Sequence, residues 1–141
     1  IDPDGGGIIA GSRGPDGGHW PGTTAAILKG EAPALLQAGM ATTIGVVATD
    51  AVLTKAQAQK VAQMSHDGLA RAIDPVHTMF DGDTMFALAT GASGLAGNPS
   101  TLGIMAATVT MRAVVRAVRA ATGVQLPGLA RIPSASDQQK R

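Results

Sequence analysis

The 141-residue chain contains no cysteine and no tyrosine, and only one tryptophan and two phenylalanines. Without cysteine there are no disulfides, no thiolate zinc centre and no Cys nucleophile, although the compartment stays open. With 2% aromatics, 19 glycines and an apolar set dominated by Ala, Val, Leu, Ile and Met, the core has to be built from small side chains packed closely. Charge of one sign is also lacking. Eleven basic residues against ten acidic ones leave a net charge of +1, too little to attract nucleic acid or an anionic membrane. No apolar run approaches the ~18 uninterrupted residues of a bilayer span, and no basic-then-apolar leader opens the chain. The sequence therefore reads as a soluble, cytoplasmic protein of one domain or a piece of one. It starts at Ile1 and moves straight into "IDPDGGGIIAGSRGPDGGHWPG", which leads to the expectation of an upstream portion.

That opening stretch, residues 1–22, is rich in glycine and proline and reads as irregular loop. "GGGIIAG" is followed by no GK[ST] and does not match GxGxxG, so it is not a phosphate loop; His19 and Trp20 at its end read as a surface pair rather than ligands. "TTAAILKGEAPALLQAG" gives a short strand or helix, a break at Gly30 and an apolar helical turn ended by Gly39. "TTIGVVAT", residues 42–49, is a continuous apolar run of the length expected for a strand buried on both faces. Then the period changes. Thr54 and Gln57 form a capping box, and Val61, Met64, Leu69 and Ile73 recur at helical spacing with Lys55, Gln59, Gln63 and Asp67 elsewhere, predicting an amphipathic helix that Asp74-Pro75 terminates.

"VHTMFDGDTMFALATG" predicts a strand, a tight Asp-Gly turn and a second strand over residues 84–90. "STLGIMAATVTMRAVVRAVRAATG" predicts a long helix from Thr101 to Thr122, stopped by Gly123, with Arg112, Arg116 and Arg119 as a solvated or subunit-facing stripe. The polar end, "IPSASDQQKR", reads as frayed. Helices over a small-residue sheet make the fold class α/β or α+β.

Few residues can do chemistry. There is no credible Ser-His-Asp set: His66 lies on the polar side of its helix, and His77 begins the strand that follows. Two features remain. Thr42 follows the small residue Ala41, and a threonine at a new chain start combines a nucleophilic hydroxyl with its own α-amine as base, whose pKa of ~7.7–8.0 leaves a useful neutral fraction. Asp81 and Asp83 flank Gly82. They are either an ordinary hairpin turn or a pair of carboxylates that hold the amine or order a water; the pattern lacks the remaining ligands of an EF-hand. From the residues alone the choice stays open.

"VVATDA", "HDGLARAI.PVHT" and "DGDT.FALATG", within residues 42–91, carry a dense resemblance to the C-terminal subunit of the L-aminopeptidase/D-esterase (DmpA-type) peptidase family, and within it to the endo-type 6-aminohexanoate-oligomer (nylon oligomer) hydrolases. The resemblance implies an N-terminal-nucleophile-like four-layer α/β/β/α sandwich, of which this chain holds the C-terminal part. Residues 1–41 would be the end of the larger subunit and the processing linker, and residues 42–141 the smaller subunit. Thr42 falls at the nucleophile position, the processing site is Ala41–Thr42, and Asp81 and Asp83 match the acidic pair beside the nucleophile. Nylon-type members carry Asn where this chain has Ala41.

The implied function is hydrolysis of linear amides such as aminohexanoate oligomers, or removal of N-terminal residues from small peptides, through a Thr42 acyl-enzyme. The implied partners are a small amide or peptide substrate, the larger subunit of the same precursor and further copies in a homo-oligomer, often a tetramer. No cofactor, metal, nucleic acid or membrane is called for. The alternatives are a non-catalytic or uncleaved homologue with an assembly role, and a related amino-acid N-acetyltransferase chemistry.

Overall fold

The computed structural model describes residues 1–12, 22–31 and 41–138. The His19–Trp20 pair and the helical turn expected to end at Gly39 lie outside the described residues. Among them, α1 (Thr23–Leu28) ends where expected, with Gly30 at φ 78° carrying the chain out of the helix.

Two strands, β1 (Ile44–Thr49) and β2 (Thr84–Ala89), pair in parallel, with Ile44 opposite Thr84, Val46 opposite Phe86 and Thr49 opposite Ala89. Parallel neighbours cannot be joined by a tight turn. The connection is α2 (Lys55–Ala70), held at its start by the expected capping box: Thr54 Oγ1 accepts from Gln57 N at 3.3 Å and Gln57 Oε1 accepts from Thr54 N at 2.9 Å. Such a cap stabilises the helix by about 1 kcal/mol. The predicted hairpin is absent. Residues 76–80 form turns rather than a strand, and Gly82 stays out of the left-handed region that a hairpin Asp-Gly turn would need. The Asp-Gly-Asp segment instead extends β2 backwards alongside Ala41 to Thr43.

After β2 the chain enters α3 (Pro99–Ala120), whose first turn is capped by Asn98 Oδ1, accepting from Ser100 N and Thr101 N at 2.9 and 3.1 Å. Helices α2 and α3 cross at very short range because glycines stand at the contact. A Cβ on Gly68 would run into the Ala107 carbonyl oxygen and come within 2.7 Å of Thr110 Cβ; one on Gly103 would run into the Met64 side chain. Val61, Ser65 and Leu69 of α2 and Ala106, Ala107 and Thr110 of α3 are buried along this seam. Full burial of Leu69 alone is worth about 2 kcal/mol. A second cluster, Ile9, Ala72, Val115 and Ala135, lies further along α3. By length and composition α3 could also cross a bilayer; here one of its faces is packed on α2.

In the polar end, residues 131–138 are hydrogen-bonded rather than frayed. Asp137 Oδ2 accepts from Ser134 N, Ser134 Oγ and Arg131 Nη2, each at 2.9 Å, and starts the short α4 (Ala135–Gln138), placing Ala135 in the core. These contacts, the Ser134 backbone N–H first, hold the Asp137 carboxyl below its ordinary value of 3.8. In the arginine stripe all three residues are exposed, and Arg119 pairs with Asp2 at 3.1 Å.

The sheet has two unlike faces. Side chains alternate across a strand. Thr43, Gly45, Val47, Met85 and Ala87 turn toward the helices and are buried or half-buried, and Gly45 has no side chain because a Cβ would sit 2.6 Å from Met85 Sδ. Ile44, Val46, Phe86 and Leu88 turn the other way and are 71, 64, 55 and 55% exposed. The expectation of a strand buried on both faces is therefore corrected: among the described residues β1 is covered on one face only.

Candidate active site

The parallel ladder continues upstream of β1 in unchanged register, with a bridge between Ala41 and Asp81 that sets Thr42 beside Gly82 and Thr43 beside Asp83. Gly82 N donates to the Ala41 carbonyl at 3.0 Å, and Thr84 N donates to the Thr43 carbonyl at 2.9 Å. The carbonyl of the Ala41–Thr42 peptide bond is thus held in the ladder.

Thr42 is exposed, and no hydrogen bond holds its hydroxyl among the described residues. Its side chain lies on the open face of the sheet, in line with Ile44 and Val46. A Cβ built on Gly82 would come within 2.8 Å of Thr42 Oγ1, which places the hydroxyl directly over the glycine. Asp81 and Asp83, one residue to either side of Gly82, project to the opposite face by the two-residue alternation of a strand.

The carboxylates are engaged there. Asp83, whose side chain is only 5% exposed, accepts from Thr43 N through Oδ1 at 2.8 Å and meets His77 Nδ1 through Oδ2 at 2.8 Å. Asp81 Oδ2 accepts from Thr78 N at 2.6 Å. The structure therefore brings Thr42, Asp81 and Asp83 into one ladder segment, but the contacts of the two carboxylates are with the backbone and with His77, not with the Thr42 hydroxyl.

His77 is the residue that sequence reasoning misplaced. It does not begin a strand; it occupies a turn at φ 57°, a left-handed conformation uncommon for a side chain larger than glycine. There it reaches Asp83 and lies with its ring centroid 5.0 Å from that of His66. The signal available in the sequence was the spacing of six residues from Asp83 in "PVHTMFDGD", which a hairpin reading hid.

On the helix side, a cavity of about 770 Å³ borders Ala41 and Asp81 and is lined mainly by Ile8, Ile9, Ile27, Ile73 and Val118. Thr42 is not among the residues that line it. Among the described residues no group of three or more His, Asp or Glu side chains is placed to hold a metal ion.

The ladder thus sets an exposed threonine hydroxyl over Gly82, beside a carbonyl that the Gly82 N–H holds, with two hydrogen-bonded carboxylates on the other face. The model of Peptidase family S58 matches residues 16–129, and the chain belongs to peptidase family S58. It is 69% identical over 51 residues to an uncharacterized aminopeptidase of Mycobacterium leprae, a match covering 36% of this chain and 14% of that protein. It is 51% identical over 80 residues to an uncharacterized aminopeptidase of Mycobacterium bovis, covering 57% of this chain and 22% of the relative. To the 6-aminohexanoate-oligomer endohydrolase of Kocuria sp. (strain KY2) it is 34% identical over 98 residues, covering 62% and 27%. The chain thus spans about a quarter or less of the length of these curated relatives. Family membership agrees with the resemblance read from residues 42–91.

Proposed function

We propose that this chain carries the nucleophile of a self-processing amide hydrolase, in which Thr42 attacks first its own preceding peptide bond and then the amide of a substrate. The observation that carries the reading is the placement of Thr42. Its hydroxyl is exposed and unbonded among the described residues, while Gly82 N holds the preceding carbonyl at 3.0 Å and Asp83 holds the following amide at 2.8 Å. Once the Ala41–Thr42 bond is cut, the freed α-amine acts as the base for Oγ1, forming an acyl-enzyme that water resolves. Asp81 and Asp83 serve as positioning residues: they fix the turn before Gly82 and the backbone after Thr42.

The names of the relatives support a linear amide as substrate, either an aminohexanoate oligomer or the N-terminal residue of a small peptide. The bare apolar face of the sheet supports an architecture in which a second sheet, from the larger subunit, completes a four-layer sandwich in an oligomer. One observation favours a second reading, an uncleaved chain with an assembly role: Ala41, with no side chain able to assist cleavage, stands where the nylon-type members carry Asn.

Mass spectrometry of the full-length protein during incubation separates the two. Cleavage between Ala41 and Thr42, with turnover of an aminohexanoate oligomer or an aminoacyl anilide, is expected. Thr42→Ala is expected to abolish cleavage and to lower turnover by at least about 10⁴-fold, as removal of a catalytic nucleophile does. An intact wild-type chain without amidase activity overturns the processed-enzyme reading.

A further inference from the structure

We propose that the backbone N–H of Gly82 is the oxyanion donor for the carbonyl that Thr42 attacks, and that position 82 is glycine so that the Thr42 hydroxyl can lie over it. The proposal rests on the self-processing reading above and assigns the group that stabilises the charge in that reaction. Two separate observations carry it: the Gly82 N–H already donates, at 3.0 Å, to the oxygen of Ala41, the carbonyl of the Ala41–Thr42 bond, and a Cβ at Gly82 would come within 2.8 Å of Thr42 Oγ1.

The geometry suits both tasks. A ladder hydrogen bond lies in the plane of the sheet, whereas a nucleophile approaches a carbonyl from above that plane. Thr42 projects from the open sheet face, so donor and nucleophile reach the same carbonyl group from directions that do not compete. In the reaction, Thr42 Oγ1 bonds to the Ala41 carbonyl carbon and the carbonyl π pair moves onto oxygen, to which the Gly82 N–H donates. The hydroxyl proton passes to the Thr42 nitrogen, and the C–N bond breaks to leave an ester between Ala41 and Thr42 Oγ1 with a free α-amine. Water then hydrolyses the ester, giving the Ala41 carboxylate and regenerating the hydroxyl. With Ala41 released, the Gly82 N–H has lost its partner and faces the place where the Ala41 carbonyl stood. A substrate carbonyl that enters there meets the same donor, so one N–H serves both self-cleavage and turnover.

The decisive variant replaces Gly82 by glycolic acid during translation of the full-length protein, exchanging the N–H for an ester oxygen without adding bulk. The control is the same amide-to-ester exchange at Thr90, whose N–H makes an equivalent 3.0 Å ladder bond to the Thr49 carbonyl at the far end of the sheet. The rate of Ala41–Thr42 cleavage is read by mass spectrometry. Loss of the Gly82 N–H is expected to slow it by about 10²-fold or more, the usual effect of deleting one oxyanion donor, while the Thr90 ester stays near the wild-type rate. Gly82→Ala, which keeps the N–H but crowds Oγ1, is expected to slow cleavage as well. Wild-type cleavage with an unaffected Gly82 ester overturns the proposal, as does equal slowing by both esters, which is what a merely structural bond would give. A wild-type chain that never cleaves overturns the self-processing reading itself, and is told apart because no variant is then needed to see it.

Discussion

The two faces of the β1–β2 sheet are built from equally apolar residues yet have opposite fates. On one, Gly45, Val47 and Met85 meet helices packed so tightly that glycines are required at the crossing; on the other, Ile44, Val46, Phe86 and Leu88 stand open. The same alternation divides the candidate site, because Thr42 belongs to the open face while Asp81 and Asp83 belong to the covered one. The division teaches that Thr42 and the two carboxylates are placed differently. The covered face fixes the backbone, and the open face leaves the hydroxyl accessible.

The comparison breaks most readily on the covered side. Gly68→Leu forces a side chain into the Ala107 carbonyl and the Thr110 side chain, and is expected to lower the unfolding free energy by about 3 kcal/mol, measured by urea denaturation. Asp83→Ala removes the acceptor of Thr43 N and the partner of His77. It is expected to cost about 2 kcal/mol and to slow Ala41–Thr42 cleavage, whereas Asp81→Ala, which removes the single bond to Thr78 N, should cost less in the same assay.

On the open face, Phe86→Thr is expected to change the stability of this chain by no more than about 0.5 kcal/mol. A loss of the ~3 kcal/mol typical of a buried aromatic would show the face to be covered in solution. The smallest effect is at the end of the covered side. Because contacts to Ser134 hold the Asp137 carboxyl below 3.8, its contribution is complete above that value and is lost as pH falls through the lower, folded value. An acid titration followed by circular dichroism should show this contribution disappear in Asp137→Asn.

Local signals were legible in the sequence. The Thr54–Gln57 capping box, the helical repeat from Val61, the Gly30 break and the long α3 are set by neighbours within about one helical turn; each forms, with α2 ending at Ala70 rather than Ile73 and α3 running from Pro99 to Ala120 rather than from Thr101 to Thr122. The Asp81-Gly82-Asp83 segment was misread for the same reason. A hairpin turn is the local meaning of Asp-Gly, but these residues are governed by a strand forty positions earlier, and the glycine answers to the Thr42 hydroxyl instead of to a turn. His77 was misplaced with it, since its role depends on Asp83 and Thr43 being brought together across the ladder. The ordered end around Asp137 was missed because it depends on Arg131 and on packing against α3.

By itself, the sequence determined the two long helices and the strands at residues 44–49 and 84–89, the small-residue character of the core and the chemical candidates Thr42, Asp81 and Asp83, because propensity, capping and residue chemistry act over a few residues or within one. Only the tertiary structure decided that the strands run parallel, that the Thr42 hydroxyl and the two carboxylates occupy opposite faces, and that Gly82 holds the carbonyl before Thr42. Those facts depend on register between distant segments, and in a sheet a shift of one residue would have reversed every one of the faces.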